Sequence, residues 1–250
     1  MIKSEREQEI LNIMNSQGSF TTVKKLCELL YASESSIRRD LTRMERNGLI
    51  KRSYGGAEII RNYSNAIDFG CRYNLNSNAK KAIAEKAAAL VKDGDIIFLD
   101  ESTSAFYLAS KLSSQRSITV ITNNVEIINL LADSNVTLVS SGGFLSRENR
   151  TCFVGVDAAR VFENTFADIV FFSCKSLSDD GIISDVTREE VLIKQAMLDN
   201  AAKKVFLCDS GKFGTRSAYK QCTLKDVDFL ISEGDSAERF RDKFESLVCQ

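Results

Sequence analysis

Apolar positions in the first third of the chain recur with a helical period. Ile10 and Met14 stand four apart in a stretch from about Ser4 to Ser16. Leu26, Leu29 and Leu30 give an i, i+3, i+4 stripe over Thr22 to Leu30, and Ile37, Leu41 and Met44 give i, i+4, i+7 over Glu34 to Asn47. Spacings of three and four line one face of a helix, so three amphipathic helices are predicted. Tyr31-Ala32-Ser33 is left as a three-residue turn, with Ser33 as N-cap and Gly48 as the stop of the third helix.

The pattern changes beyond residue 57. Residues 58–78 carry asparagines at 62, 65, 74, 76 and 78 and no helical period, and read as a linker. From Ala79 short apolar runs alternate with helical stretches. The runs Asp95–Leu99, Ile118–Ile121, Val136–Val139, Ile169–Phe172, Val205–Cys208 and Phe229–Ile231 are predicted strands. Ala79–Lys92, Ser104–Ser113, Val125–Ala132 and Thr187–Ala202 are predicted helices between them. Such alternation implies βαβ units and a mostly parallel sheet flanked by helices. The expected domains are residues 1–57, a linker 58–78, and an α/β domain 79–250.

Composition narrows the function classes. The 250 residues are 44% hydrophobic and 27% charged, which is ordinary for a soluble globular protein. No apolar run is long enough to span a membrane, and the N-terminus opens into charge, so neither signal peptide nor membrane anchor is expected. The net charge is −1, but it is unevenly spread: residues 1–56 hold ten Lys/Arg against seven Asp/Glu, and the remainder holds 23 against 27. A mildly basic head on an acidic body fits a DNA-contacting module joined to something else. Seven scattered cysteines, none in a C-x-x-C pair, and the absence of histidine argue against zinc and exclude a Ser-His-Asp triad. Free thiols in a reducing cytosol are the simplest expectation.

The third helix carries the chemistry of the head. Opposite its apolar stripe lie Ser35, Arg39, Thr42 and Arg46, with Arg38 and Arg43 on the flanks. Such a helix can bury one face on its neighbours and lay the other in a major groove, where arginine bridges guanine O6 and N7. Ser36 and Ser35 near its start suit phosphate or base edges. Leu49-Ile50, Lys51-Arg52, Tyr54 and Gly55-Gly56 suggest two short strands and a turn, a wing touching the DNA backbone.

Ser33-x-x-Ser36-Ile37-Arg38-Arg39-Asp40-Leu41, then Gly48, then Arg52-x-Tyr54-Gly55-Gly56-Ala57 resembles the N-terminal signature of the DeoR family of bacterial transcriptional regulators. Tyr54 stands where many members have histidine. The resemblance continues through Arg72, Asn76, Lys80-x-x-Ile83-Ala84, Asp100-x-x-Thr103, Thr122-Asn123, Gly142-Gly143 and Gly155. It extends over Asp168-x-x-x-Phe172, Glu190, Lys194-x-Ala196-Met197 and Asp209-x-x-Lys212-Phe213. It implies a winged helix-turn-helix followed by a domain similar to ribose-5-phosphate isomerases that senses a phosphorylated sugar.

In the α/β part, polar residues gather where predicted strands end, the edge at which parallel sheets bind ligands. By the resemblance, Asp100, Thr103, Ser104, Thr122, Asn123, Gly142, Gly143 and Lys212 are the expected effector positions. Ser102 stands where glycine is usual in the family, and Glu101 adds a carboxylate beside the expected anion site. The expected function is a sequence-specific regulator, most often a repressor in this family, of carbohydrate uptake or catabolism genes. Its expected partners are operator DNA, a small phosphorylated sugar and further copies of itself, with no cofactor, metal or catalytic residue. One alternative is a sugar-phosphate isomerase with a DNA-binding head, casting Asp100, Glu190 and Lys212 as acid, base and phosphate anchor. Another is a regulator that has lost sensing.

Overall fold

Three apolar stripes converge in the first unit. In the computed structural model, which describes residues 6–7, 9–11, 13–14, 20–46, 50–59, 69–113, 117–244 and 247–249, helix α1 is seen through its residues between 6 and 14. It is followed by β1 (Phe20–Thr22), α2 (Val23–Leu30), α3 (Glu34–Arg46), β2 (Ile50–Ser53) and β3 (Gly56–Ile59). Ile10, Met14, Leu26, Leu30, Ile37, Leu41, Met44, Ile50 and Ala57 form one buried cluster. Each large aliphatic there gains about 1.5–3 kcal/mol from leaving water.

Leu29 departs from the predicted stripe and is 41% exposed. At roughly 100° per residue it lies on the far side of Leu26 from Leu30 and Val23, so the core is reached without it. Helix α2 starts on Thr22, whose hydroxyl accepts the Lys25 N–H at 3.2 Å, and ends on Tyr31 in a left-handed conformation, φ 49°. Helix α3 is capped as predicted, the Ser33 hydroxyl accepting the Ser36 N–H at 3.4 Å.

The two wing strands form as expected, with Tyr54 and Gly55 at the turn. The third strand, β1, was not predicted; it pairs antiparallel with β3 and makes the sheet order β1-β3-β2. A Cβ at Gly56 would strike the Thr21 carbonyl and the Phe20 ring, so this pairing requires glycine there. Residues 60–68 of the stretch read as linker, and Gly48, the expected stop of α3, lie outside the described residues. Phe69–Asn74 form helix α4. The chain divides into two compact units, Met1–Asn76 and Ser77–Gln250.

The second unit is built on seven parallel strands in the order β15-β14-β12-β9-β4-β5-β6. These are β4 (Ile96–Leu99), β5 (Thr119–Thr122), β6 (Thr137–Ser140), β9 (Ala167–Phe172), β12 (Ala201–Leu207), β14 (Phe229–Ile231) and β15 (Val248–Cys249). Helices α5 (Ser77–Ala88), α6 (Thr103–Leu112), α7 (Val125–Leu131), α8 (Val156–Glu163) and α9 (Arg188–Asp199) connect or cover them. All six predicted strands are present. The helix expected to run to Ala202 stops at Asp199, because Ala201–Leu207 is taken into ladders with β9 and β14. Ladder pairing overrides a weak helical preference. Helix α8 and β15 were not predicted.

Chain order reverses between β4 and β9. From β4 the strands run outward through β5 and β6, then return on its other side. Two antiparallel additions sit on this scaffold: β7 (Phe144–Leu145) with β8 (Phe153–Val154), and β10 (Ser176–Leu177), β11 (Ile182–Asp185) and β13 (Tyr219–Thr223). Phe98 meets Phe162 edge-on at 5.2 Å and Phe172 stacks on Phe206 at 5.1 Å in the core. The described cysteines 27, 152, 174, 208, 222 and 249 are free thiols. Burial pushes the Cys174 and Cys208 thiols up and that of Cys222 up to about 12, which makes them poor nucleophiles. Among the described residues no helix is long and apolar enough to cross a membrane.

Candidate nucleic-acid interface and sensor site

The arginines of α3 divide into two kinds. Arg43 turns toward α1: its guanidinium is ion-paired with Glu7 and lies 3.0 Å from Asp40, which is buried and also takes Arg6 at 2.6 Å. These hydrogen bonds raise the Arg6 and Arg43 values further. Arg43 is thus an anchor between α1 and α3, not a member of the open face. Arg38 is exposed but paired with Glu34 one turn earlier at 2.6 Å. Arg39 is exposed and makes no hydrogen bond or ion pair to a described residue. The Arg46 side chain lies outside the described residues.

The wing is fastened to the same helix. Arg52 donates to the Thr42 hydroxyl at 2.7 Å, its N–H donates to Glu45 at 2.9 Å, and Thr42 itself donates to the Arg38 carbonyl at 2.8 Å. Lys51 and Tyr54 are exposed, Tyr54 fully so. Ser35 is exposed within 3.2 Å of Ser33, and Ser36 is half-buried. Ser35, Arg38, Arg39, Lys51 and Tyr54 are thus all exposed, and Thr42 and Arg52 lock wing to helix.

In the second unit the chain reversal brings Asp100 and Ser173 together. Asp100 follows β4 and is fully buried; its carboxylate accepts the Ser102 N–H at 3.1 Å and the Ser173 N–H, just beyond β9, at 2.8 Å. Burial pushes Asp100 up, opposed by Lys194 and these bonds. The carboxyl ends of strands at such a reversal are where open parallel sheets bind ligands. Ser102 has φ −76° and caps α6 by accepting the Ala105 N–H at 3.0 Å, so this loop needs no glycine at that place. The first-turn N–H groups at Thr103 and Ser104 are left for an outside acceptor.

The neighbouring loops complete the edge. Thr122 donates to the Leu99 carbonyl at 2.7 Å and accepts the Asn124 N–H at 3.1 Å. The Asn123 side chain donates to Phe153 O at 3.1 Å. Gly142 and Gly143 have φ 59° and 99°, and a Cβ on Gly143 would lie 2.9 Å from both Ala158 Cβ and Val154 O. Lys212 donates to the Ser173 hydroxyl at 2.7 Å and stands 3.6 Å from Asp209. Burial lowers Lys212, but Asp209 and the other neighbours leave it raised overall, so it keeps its charge. Ser104 Oγ, Asn123 Oδ1, Asn124 Nδ2 and Glu101 Oε2 are buried with no partner among the described residues. Unsatisfied buried polar atoms are uncommon in native interiors, and these four fall on the segments that follow β4 and β5.

Sequence reasoning did not anticipate the charge cluster behind this edge. Lys194 on α9 is buried and sits 2.5 Å from Glu101 and 2.7 Å from Asp185, the last residue of β11. Asn149 donates to Glu190 at 2.9 Å. Carboxylate oxygens of Glu101, Asp185 and Glu190 lie within 4.8 Å of one another, a grouping that could ligate a metal, but the Lys194 ammonium already engages two of them. Burial opposes ionisation of Asp185, yet Lys194 and the Val186 N–H hold it below the usual carboxylate range. Glu101 is pushed up to about 8 by burial against the pull of Lys194, with Asp100 and Glu190 adding to the rise. Only an i, i+4 Glu190–Lys194 spacing was legible in the sequence, and it points to the wrong partner.

Comparison with known proteins agrees with both units. A model of the DeoR-like helix-turn-helix domain matches residues 6–62, and a model of the DeoR C-terminal sensor domain matches residues 75–234. The HTH-type transcriptional regulator YulB of Bacillus subtilis is 36% identical over 234 residues, covering 93% of this chain and 90% of the relative. The L-fucose operon activator of Escherichia coli is 31% identical, covering 93% and 96%. Among solved structures, ribose 5-phosphate isomerase A of Methanocaldococcus jannaschii shares 19% identity over 55% of each chain, with a TM-score of 0.42.

Proposed function

The chain belongs to the DeoR family of helix-turn-helix transcriptional regulators, and from that premise we propose that it binds operator DNA through residues 1–57 and senses a metabolite through residues 79–250. Residues 58–78 join the two. The exposed, unengaged guanidinium of Arg39 carries the DNA reading. It enters the major groove with Ser35, Ser36, Arg38, Thr42 and Arg46, while Lys51, Arg52 and Tyr54 hold the backbone. Arg43 contributes by fixing α3 on α1.

The effector is a small phosphorylated sugar. Its anion meets Lys212, Gly142 and Gly143 and the open turn of Thr103 and Ser104; its hydroxyls meet Asp100, Thr122 and Asn123. The protein acts in the cytoplasm as a repressor of carbohydrate uptake or catabolism genes, and the effector relieves it. Repression needs only DNA affinity, whereas activation needs a further polymerase contact. The sensor is read as a binding site and not a catalyst: two backbone N–H groups orient Asp100, and Glu190 accepts from Asn149.

The test is a duplex selected by the wild-type protein from a randomised library. Arg39→Ala is expected to abolish its retention in a gel shift with the fold intact. Unchanged affinity of that variant overturns the reading.

A further inference from the structure

At the proposed effector site, buried hydrogen-bond acceptors outnumber the donors that reach them. Strands β4 and β5 are neighbours, with Leu99 opposite Thr122, so the segments that leave them run side by side. Glu101 and Ser104 lie on the first segment, Asn123 and Asn124 on the second, each no more than 2% exposed. The two amides are oriented by the bonds they already make. Asn123 donates through Nδ2 to the Phe153 carbonyl, which leaves Oδ1 as an open acceptor. Asn124 accepts the Glu126 and Ile127 N–H groups on Oδ1, which leaves Nδ2 as an open donor. Glu101 Oε1 meets the Lys194 ammonium, while Oε2 has no partner among the described residues. Ser104 Oγ is open as well. Three of these atoms are able to accept, and only Asn124 Nδ2 is bound to donate.

Charge is unbalanced in the same direction. Carboxylate oxygens of Glu101, Asp185 and Glu190 lie within 4.8 Å of one another, and among the described residues Lys194 is the one ammonium paired with them. Cys152, whose thiol is 4.0 Å from Glu190, forms a backbone bridge with Asn124, so the cluster adjoins the open atoms. Burial, helped by Asp100 and Glu190, pushes Glu101 up to about 8 against the pull of Lys194. The proton it holds stands in for a missing cation.

We propose that Glu101, Asn123 and Ser104 bind a primary ammonium of the effector, which makes the effector an amino sugar phosphate. This rests on the effector reading above and narrows its ligand class. An ammonium carries three N–H donors and a positive charge, matching Glu101 Oε2, Asn123 Oδ1 and Ser104 Oγ and offsetting the surplus carboxylate. A hydroxyl carries one donor and no charge. On binding, the Glu101 proton leaves to solvent and the ammonium takes its place. The hydroxyl next to the amine accepts from Asn124 Nδ2, and the phosphate stays with Lys212, Gly142 and Gly143. Entry requires the β7–β8 hairpin to part from the segment after β5, where the Phe153 N–H meets the Asn123 carbonyl at 2.8 Å.

Isothermal titration calorimetry on the full chain tests the proposal with matched ligands. Glucosamine 6-phosphate and galactosamine 6-phosphate are each compared with the hydroxyl parent and the N-acetyl form. The wild type is expected to bind one of the amines about tenfold more tightly than both of its counterparts. Glu101→Gln keeps an acceptor for Lys194 and is expected to bring the amine-to-hydroxyl ratio to within about twofold of one. A wild type that binds the hydroxyl or N-acetyl sugars as tightly as the amines overturns the proposal and leaves the effector reading in place. A folded Glu101→Gln with the wild-type ratio overturns it equally. Glucosamine against glucose, both without phosphate, separates the two readings in the other direction. Preference for the amine with no gain from phosphorylation keeps the ammonium site and removes the phosphate. Binding by no sugar of the panel overturns both.

Discussion

The Lys194 ammonium lies 2.5 Å from a Glu101 carboxylate oxygen, with both side chains sealed from solvent. Asp185 claims the same ammonium from the other strand layer at 2.7 Å. One buried cation thus serves two carboxylates drawn from β11 and the loop after β4. Removing the cation leaves the buried Asp185 carboxylate without its counter-charge and Glu101 without its hydrogen-bond donor. Lys194→Met is expected to destabilise the sensor unit by about 3–5 kcal/mol in chemical denaturation, with the first unit unaffected.

Glu101 sets a pH dependence of definite sign. Its folded-state value, near 8, lies above its ordinary 4.5, so the folded chain holds the proton more tightly than the unfolded chain. Its contribution is complete below about pH 4.5 and declines as pH rises toward about 8. Thermal midpoints of the wild type should therefore fall across that window more steeply than those of Glu101→Gln. Parallel curves for the two proteins would refute the assignment.

Arg39 and Arg43 differ by four positions and should separate cleanly by phenotype. Arg43→Ala loses the tie to Glu7 and buried Asp40 and is expected to cost about 1–2 kcal/mol of stability in the first unit. Arg39→Ala should leave the melting curve in place while DNA retention disappears. Equal destabilisation by both would show that Arg39 is packed.

Tyr31 combines a left-handed backbone, φ 49°, with a side chain 97% exposed. No packing offsets the strain of about 1 kcal/mol that a bulky residue bears there. Tyr31→Asn is expected to raise the denaturation midpoint by a corresponding amount, since asparagine tolerates this conformation. A lowered midpoint would show that the ring packs in solution.

Gly143 is held by geometry on two counts, φ 99° and a Cβ position 2.9 Å from Ala158 and Val154. Gly143→Ala should cost about 1–3 kcal/mol. A reporter for effector release should lose its response in the same variant, because the loop must shift to admit the methyl group.

The recognition helix and the parallel sheet were legible because each rests on local periodicity. Ile37, Leu41 and Met44 announced the buried face of α3, and runs such as Phe229–Ile231 announced strands without needing a partner. Strand β1 escaped, since three residues make no period and only Gly56 across the ladder holds them. The hairpin β7–β8 and the β10-β11-β13 sheet escaped for the same reason. The candidate site was half legible: residues after strand ends were identified, but Lys194 and Asp185 were not joined to Glu101.

Sequence by itself determined the order of elements, the polar face of α3 and the clustering of Asp100, Thr122 and Gly142 at strand ends, because these depend on neighbours within a few positions. Only the tertiary structure decided that Arg43 is an anchor while Arg39 is open, and that Lys194 meets Glu101 and Asp185. Those choices are made between residues dozens of positions apart, where packing in three dimensions selects the partner and burial sets the strength of the attraction.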